Sequence, residues 1–77
     1  MIQTMPLSTG TTGQHLRIGA IQSENANDML RLQELGFLEG TEVQILKSSD
    51  PMVLRVGETR LGIQRDLASQ ISAYRLK

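Results

Sequence analysis

Apolar and polar residues change rhythm several times along this chain, and each rhythm predicts an element. Residues 15–21, His15-Leu16-Arg17-Ile18-Gly19-Ala20-Ile21, alternate. Period two marks a half-buried strand and sets Leu16, Ile18 and Ala20 on one face. Residues 41–47 alternate again, with Val43 and Ile45 inward. Two further runs, residues 52–56 and 59–63, flank Gly57-Glu58. A two-residue Gly-X connection suits a type II′ hairpin turn, and that turn fixes the register. Val56 then faces Thr59, Arg55 faces Arg60 and Leu54 faces Leu61. Leu54, Val56, Leu61 and Ile63 share the buried face, while Arg55 and Arg60 share the exposed one.

Between the first two strands the period turns helical. Met29, Leu32 and Leu35 fall on one helical face with Leu30 on its flank, and Arg31 and Glu34 point away. Residues 23–27 are turn-like, and Asn27 or Asp28 is the expected cap, accepting from free amides of the first turn. Gly36 stops the helix after about two turns, in the left-handed conformation that glycine adopts cheaply. Gly40 lets the chain turn again into the next strand. Residues 65–71 give a second short helical turn burying Leu67, Ala68 and Ile71, and residues 72–76 a closing strand. Pro51 keeps residues 48–51 out of the ladder, because it has no backbone N–H. Residues 1–13 are rich in Thr, Gly and Ser without a period. They read as a mostly extended leading segment, with Leu7 docking on the core and Met5 an alternative start.

Five short strands and two short helices on 77 residues are too little for a two-sheet sandwich. They suit a small, strongly curved barrel, mostly β, whose closure leaves few bare edges. The predicted organisation is an extension over residues 1–4 and a single domain over residues 5–77. A domain of this size buries only about 60% of its unfolded surface. With no Cys and one His, neither disulfides nor the usual structural zinc sites are available to support it. Apolar packing has to hold it.

Eight basic and eight acidic residues cancel. The balance, with only Phe37 and Tyr74 as aromatics, argues against a nucleic-acid partner, which calls for a basic stripe and stacking platforms. No apolar run is long enough to span a bilayer, and no signal peptide is evident. The expectation is a cytoplasmic protein without membrane insertion, whose dealings with membranes pass through a partner. Catalysis has little support. No phosphate-loop pattern occurs, and Gly10-Thr11-Thr12-Gly13 lacks the Lys such a loop needs.

The order of motifs carries a further signal. Pro6-Leu7 is followed by Gly13 before a strand, then by Leu32, Leu35-Gly36-Phe37-Leu38, Gly40-Thr41 and Val43. Asp50-Pro51, Leu61 with Ile63, and Ala68 with Ile71 complete it. From about residue 5 to 74 this order resembles the FeoA family, small cytoplasmic proteins of bacterial ferrous-iron uptake. The resemblance implies an SH3-like β-barrel with helical inserts. It also implies a partner, the FeoB-type membrane transporter with its cytoplasmic GTPase domain, which would recruit the protein to the inner face of the membrane. The same barrel occurs as the C-terminal domain of iron- or manganese-responsive repressors, so a metal-sensing or effector module is the alternative. A chain of 77 residues has no room for a helix-turn-helix domain beside the barrel, which favours the free-standing protein.

On this reading there are no catalytic or cofactor-binding residues. Iron biology raises a weak divalent site at His15 with Glu24, Asp28 or Asp50. Ferrous sites favour two His and a carboxylate, however, and a surface His without a ligand role is the plainer reading. The expected partner-binding residues are Leu38, Arg55, Arg60, Arg65 and Leu32. Leu38 sits between two glycines with little scaffold to bury against. Leu32 is included from the adjoining helix, although its spacing reads as core. Like charges opposed across a hairpin cost stability. The Arg55–Arg60 pair therefore calls for an offset, either Glu42 or Glu58 within the chain or an acidic partner surface. Self-association is left open.

Overall fold

The computed structural model describes residues 3–76. Met1 and Ile2 of the expected extension, and Lys77, lie outside the described residues. Six strands form: β1 (Met5–Pro6), β2 (His15–Ile21), β3 (Glu42–Lys47), β4 (Met52–Val56), β5 (Thr59–Ile63) and β6 (Ile71–Arg75). Two α-helices accompany them, α1 (Ala26–Glu34) and α2 (Arg65–Ala68), with a 3-10 turn at Leu7–Thr9. The strands make one antiparallel sheet in the order β1-β6-β2-β3-β4-β5. Five of them are those expected. The sixth, β1, comes from the leading segment, where Met5 and Pro6 pair with Ala73 and Ser72.

The hairpin between β4 and β5 has the expected register, Val56 opposite Thr59, Arg55 opposite Arg60 and Leu54 opposite Leu61. Gly57 has φ +61, and among the described residues only glycines have positive φ. A positive φ at the first central position only is the type II′ pattern.

One strand departs from simple alternation. Leu16 and Ile18 are buried, but Ala20 is exposed and Ile21 packs against the core. The register with β6 shifts between Ile18 and Ala20. The extra residue, Gly19, is a bulge that reverses inside and outside for the rest of the strand. A second shift, between Ile45 and Lys47, occurs where β3 meets β4. Bulges bend strands and increase local twist, which helps so short a sheet curl into a barrel.

Helix α1 begins two or three residues earlier than expected. Asn25 is its cap, with a side chain that accepts from the amides of Asn27 and Asp28. It ends at Gly36, φ +102. The Gly36 amide donates to Gln33 and the Phe37 amide to Leu32, both at 3.0 Å. This is the Schellman arrangement, which satisfies two terminal carbonyls and turns the next residue back onto the helix. That residue, Phe37, is fully buried beside Leu32 in the core. Leu35, expected in the core, is 37% exposed. Successive steps of three residues drift round a 3.6-residue turn, and Phe37 takes the inward position instead.

The core joins Leu7, Leu16, Ile18, Leu32, Phe37, Val43, Ile45, Met52, Leu54, Val56, Ile63, Ala68, Ile71 and Ala73, with no buried charge among the described residues. Replacing Gly36 by Ala forces a side chain into positive φ and brings a Cβ to 3.4 Å from Val56 Cγ1. The expected loss is more than about 1 kcal/mol. A lower urea midpoint with an unchanged slope is the result that checks it.

Candidate functional site

The outer face of the sheet carries a polar row set by register. His15 lies opposite Gln44, Gln44 opposite Arg55 and Arg55 opposite Arg60. With strands about 4.8 Å apart, the row runs about 14 Å across β2 to β5. Arg55 and Arg60 are exposed. Neither intramolecular offset forms. Glu42 is engaged by Arg17 at 2.8 Å, the one ion pair among the described residues. The hydrogen bond that Arg17 donates to Glu42 is the main reason that its pKa lies above its ordinary value, against an opposing desolvation. Glu58, in the hairpin turn, makes no ion pair with either arginine.

Arg65 is not part of this face. It stands at the start of α2, beside the gap that β1 and β5 leave unpaired. Its guanidinium donates to the Ser48 carbonyl at 2.7 Å and to the Ser8 carbonyl at 2.6 Å, and its amide donates to Asp50 Oδ1 at 3.2 Å. Its expected partner contact is untested, and these bonds give it a structural role within the chain. Arg65 ties the 3-10 turn, the β3–β4 loop and α2 together. The expectation for Leu32 is corrected: it is fully buried and offers a partner no surface.

Leu38 is 53% exposed. Residues 38–41 form a turn closed by the Thr41 amide donating to the Leu38 carbonyl at 3.0 Å, with Gly40 at φ +86. Positive φ at the third position is the type II pattern. The turn is bound to β2 on both sides: Gly40 donates to the Ile18 carbonyl at 2.8 Å and Ile18 to the Thr41 carbonyl at 2.9 Å. An open groove of about 220 Å³ runs beside it, lined by Ala20, Ile21, Met29, Gln33 and Leu38 among others. Leu30, 56% exposed, and Leu35 add apolar surface on α1.

His15 sits in the polar row, whereas Glu24 precedes α1, Asp28 is in its first turn and Asp50 accepts from Arg65. Among the described residues no group of three or more His, Asp or Glu is placed to hold a metal ion, and no helix is long and apolar enough to cross a membrane. Sequence reasoning missed two features that it had signals for. A glycine inside an alternating strand is the mark of a bulge. A hydrophobic residue just past a helix-ending glycine is the mark of a Schellman contact. The Arg65 clamp has no local signal, since its acceptors lie 17 and 57 residues away.

Taken together, the curled sheet, its helical inserts and its two exposed faces define a small SH3-like β-barrel. The family model for the FeoA domain matches residues 5–75, and the chain belongs to the FeoA family. It is similar to the crystal structure of an iron uptake regulatory protein (FeoA), 26% identical over 96% of this chain and 100% of that one, TM-score 0.89. It also resembles FeoA from Stenotrophomonas maltophilia complexed with zinc, described as an SH3 domain protein. That protein is 28% identical over 90% of this chain and 88% of its own, TM-score 0.80. IdeR from T. acidophilum shares the fold, with 18% identity over 99% of this chain and 36% of its own, TM-score 0.89. No curated protein matches the chain. The family is associated with ferrous iron transport.

Three substitutions separate the roles of the arginines. Arg65→Ala should lower stability by about 2–3 kcal/mol, because two charge-assisted hydrogen bonds are lost from a half-buried seam. Arg65→Lys should not restore it, since one ammonium cannot reach both carbonyls as the planar fork does. Arg60→Thr should raise stability at low salt by about 0.2–1 kcal/mol, and the gain should fade as salt screens the pair. Thermal melts at two ionic strengths test all three variants.

Proposed function

We propose that this protein is a non-enzymatic accessory protein of bacterial ferrous-iron uptake. It acts in the cytoplasm by binding the GTPase domain of a FeoB-type transporter at the inner face of the membrane. Membership of the FeoA family supports the pathway. The observation that carries the binding role is Leu38, a large apolar side chain held out on a fixed turn beside an apolar groove. Exposed apolar residues gathered on a rigid loop are a surface for contact rather than for chemistry. A regulatory task for the family fits two of the solved structures. One is described as an iron uptake regulatory protein, and for the other a role as a ferrous iron transport activating factor is suggested.

The alternative is a metal-sensing or effector module like the SH3-like domain of metal-responsive repressors. The shared fold with IdeR supports it, at an identity that speaks for the fold alone. Ferrous or manganous ion that raises the melting temperature at micromolar concentration would favour that module, because only a ligand of the folded state stabilises it by mass action.

For the accessory reading, Leu38→Asp should weaken binding to the transporter's cytoplasmic domain at least tenfold while the melting temperature stays near that of the parent. Titration calorimetry with a parallel melt reads both. Unchanged affinity removes Leu38 from the contact, and unfolding places it in the core.

A further inference from the structure

We propose that the free edge of β5 takes up an extended, acidic segment of the transporter's cytoplasmic domain as a seventh strand. This rests on the accessory reading above and names the chemistry of a second contact. Strand β5 ends the sheet and pairs only with β4. The two-residue hairpin determines which of its backbone groups are free. Val56 and Thr59 close the turn as a hydrogen-bonded pair, so Leu54–Leu61 and Met52–Ile63 are hydrogen-bonded pairs too. The N–H and C=O groups of Arg60 and Gly62 therefore point off the sheet. Neither residue appears in a turn, loop or side-chain hydrogen bond among the described residues.

Edges of this kind are normally blunted by proline, a bulge, several charges or a covering element. Strand β5 has no proline, and its register with β4 runs unbroken from Met52–Ile63 to Val56–Thr59. Thr59, Arg60 and Gly62 are exposed. Main-chain pairing to such an edge supplies affinity, and alternate side chains supply selectivity.

Charge determines the occupant. A strand added to β5 sets one side chain beside Arg60 on the outer face, at about 4.5–5.5 Å between Cβ atoms. Arg60 already faces Arg55 with no carboxylate to offset either. An acidic residue at that place removes the repulsion within the hairpin. Its neighbours in the added strand point inward beside half-buried Leu61, so the segment alternates acidic and apolar residues. A second copy of this chain is a poor occupant, because edge-to-edge pairing of β5 brings two Arg60 side chains into one strand pair.

Amide hydrogen exchange on the full chain, alone and with the cytoplasmic domain of the FeoB transporter from the same bacterium, tests the proposal. The Arg60 and Gly62 amides should exchange freely in the isolated protein and at least tenfold more slowly in the complex. Gly62→Pro removes an outward N–H and should weaken binding at least tenfold. Arg55→Glu with Arg60→Glu should do the same while the fold persists. Should Gly62→Pro fail to fold, exchange in the parent protein decides. Binding with both amides still unprotected overturns the edge contact and leaves the accessory reading intact. No binding by the parent protein overturns both.

Discussion

Closing a short sheet is the constraint on which the rest of this structure depends. Strand β1 is two residues long, too short to hydrogen-bond along β5 and seal the barrel. The 3-10 turn packs against α2 and β6 instead, with Leu7 and Ala68 fully buried. It is fastened by Arg65, whose guanidinium reaches carbonyls on two separate segments. An arginine suits the place because its donors form a rigid fork and stay charged at any pH the protein meets. The carbonyls it satisfies would otherwise lie in a half-buried gap without partners. The closure that leaves β5 unpaired is thus also what makes an open edge affordable in a domain with so little core.

The other end of the barrel is organised by two glycines. Gly36 returns Phe37 to the core, and Gly40 turns the chain onto β2, which leaves Leu38 outside. The two exposed faces differ in charge. Glu39 follows Leu38 in the turn, and Glu34 is exposed at the end of α1, whereas the outer face of β4 and β5 presents Arg55 and Arg60. Surfaces of opposite sign select different partner segments. A single partner domain would need both kinds of complement to meet them together.

Much of the fold was legible in the sequence, and the limits follow from range. The β4–β5 hairpin was right to the residue, because Gly57-Glu58 determines a turn whose register needs no distant information. Val43 and Ile45 followed from alternation. Ala20 was misplaced because a bulge at Gly19 resets the alternation. Leu35 and Phe37 exchanged roles because the helix-ending motif, not the helical period, decides who turns inward. At the candidate site, the Arg55–Arg60 opposition was readable from the turn. The loss of Glu42 to Arg17 was not, since that pair joins residues 25 apart. The clamp made by Arg65 was hidden for the same reason.

The hydrogen bonds that hold the Leu38 turn to β2 bear on how the protein meets other molecules. The backbone around Leu38 is already ordered on both sides before any contact is made. Binding there gives up little conformational freedom, since only one side chain remains to be fixed. Association is then governed by encounter and orientation rather than by folding. A small, preformed contact of this kind suits an attachment that is made and released repeatedly.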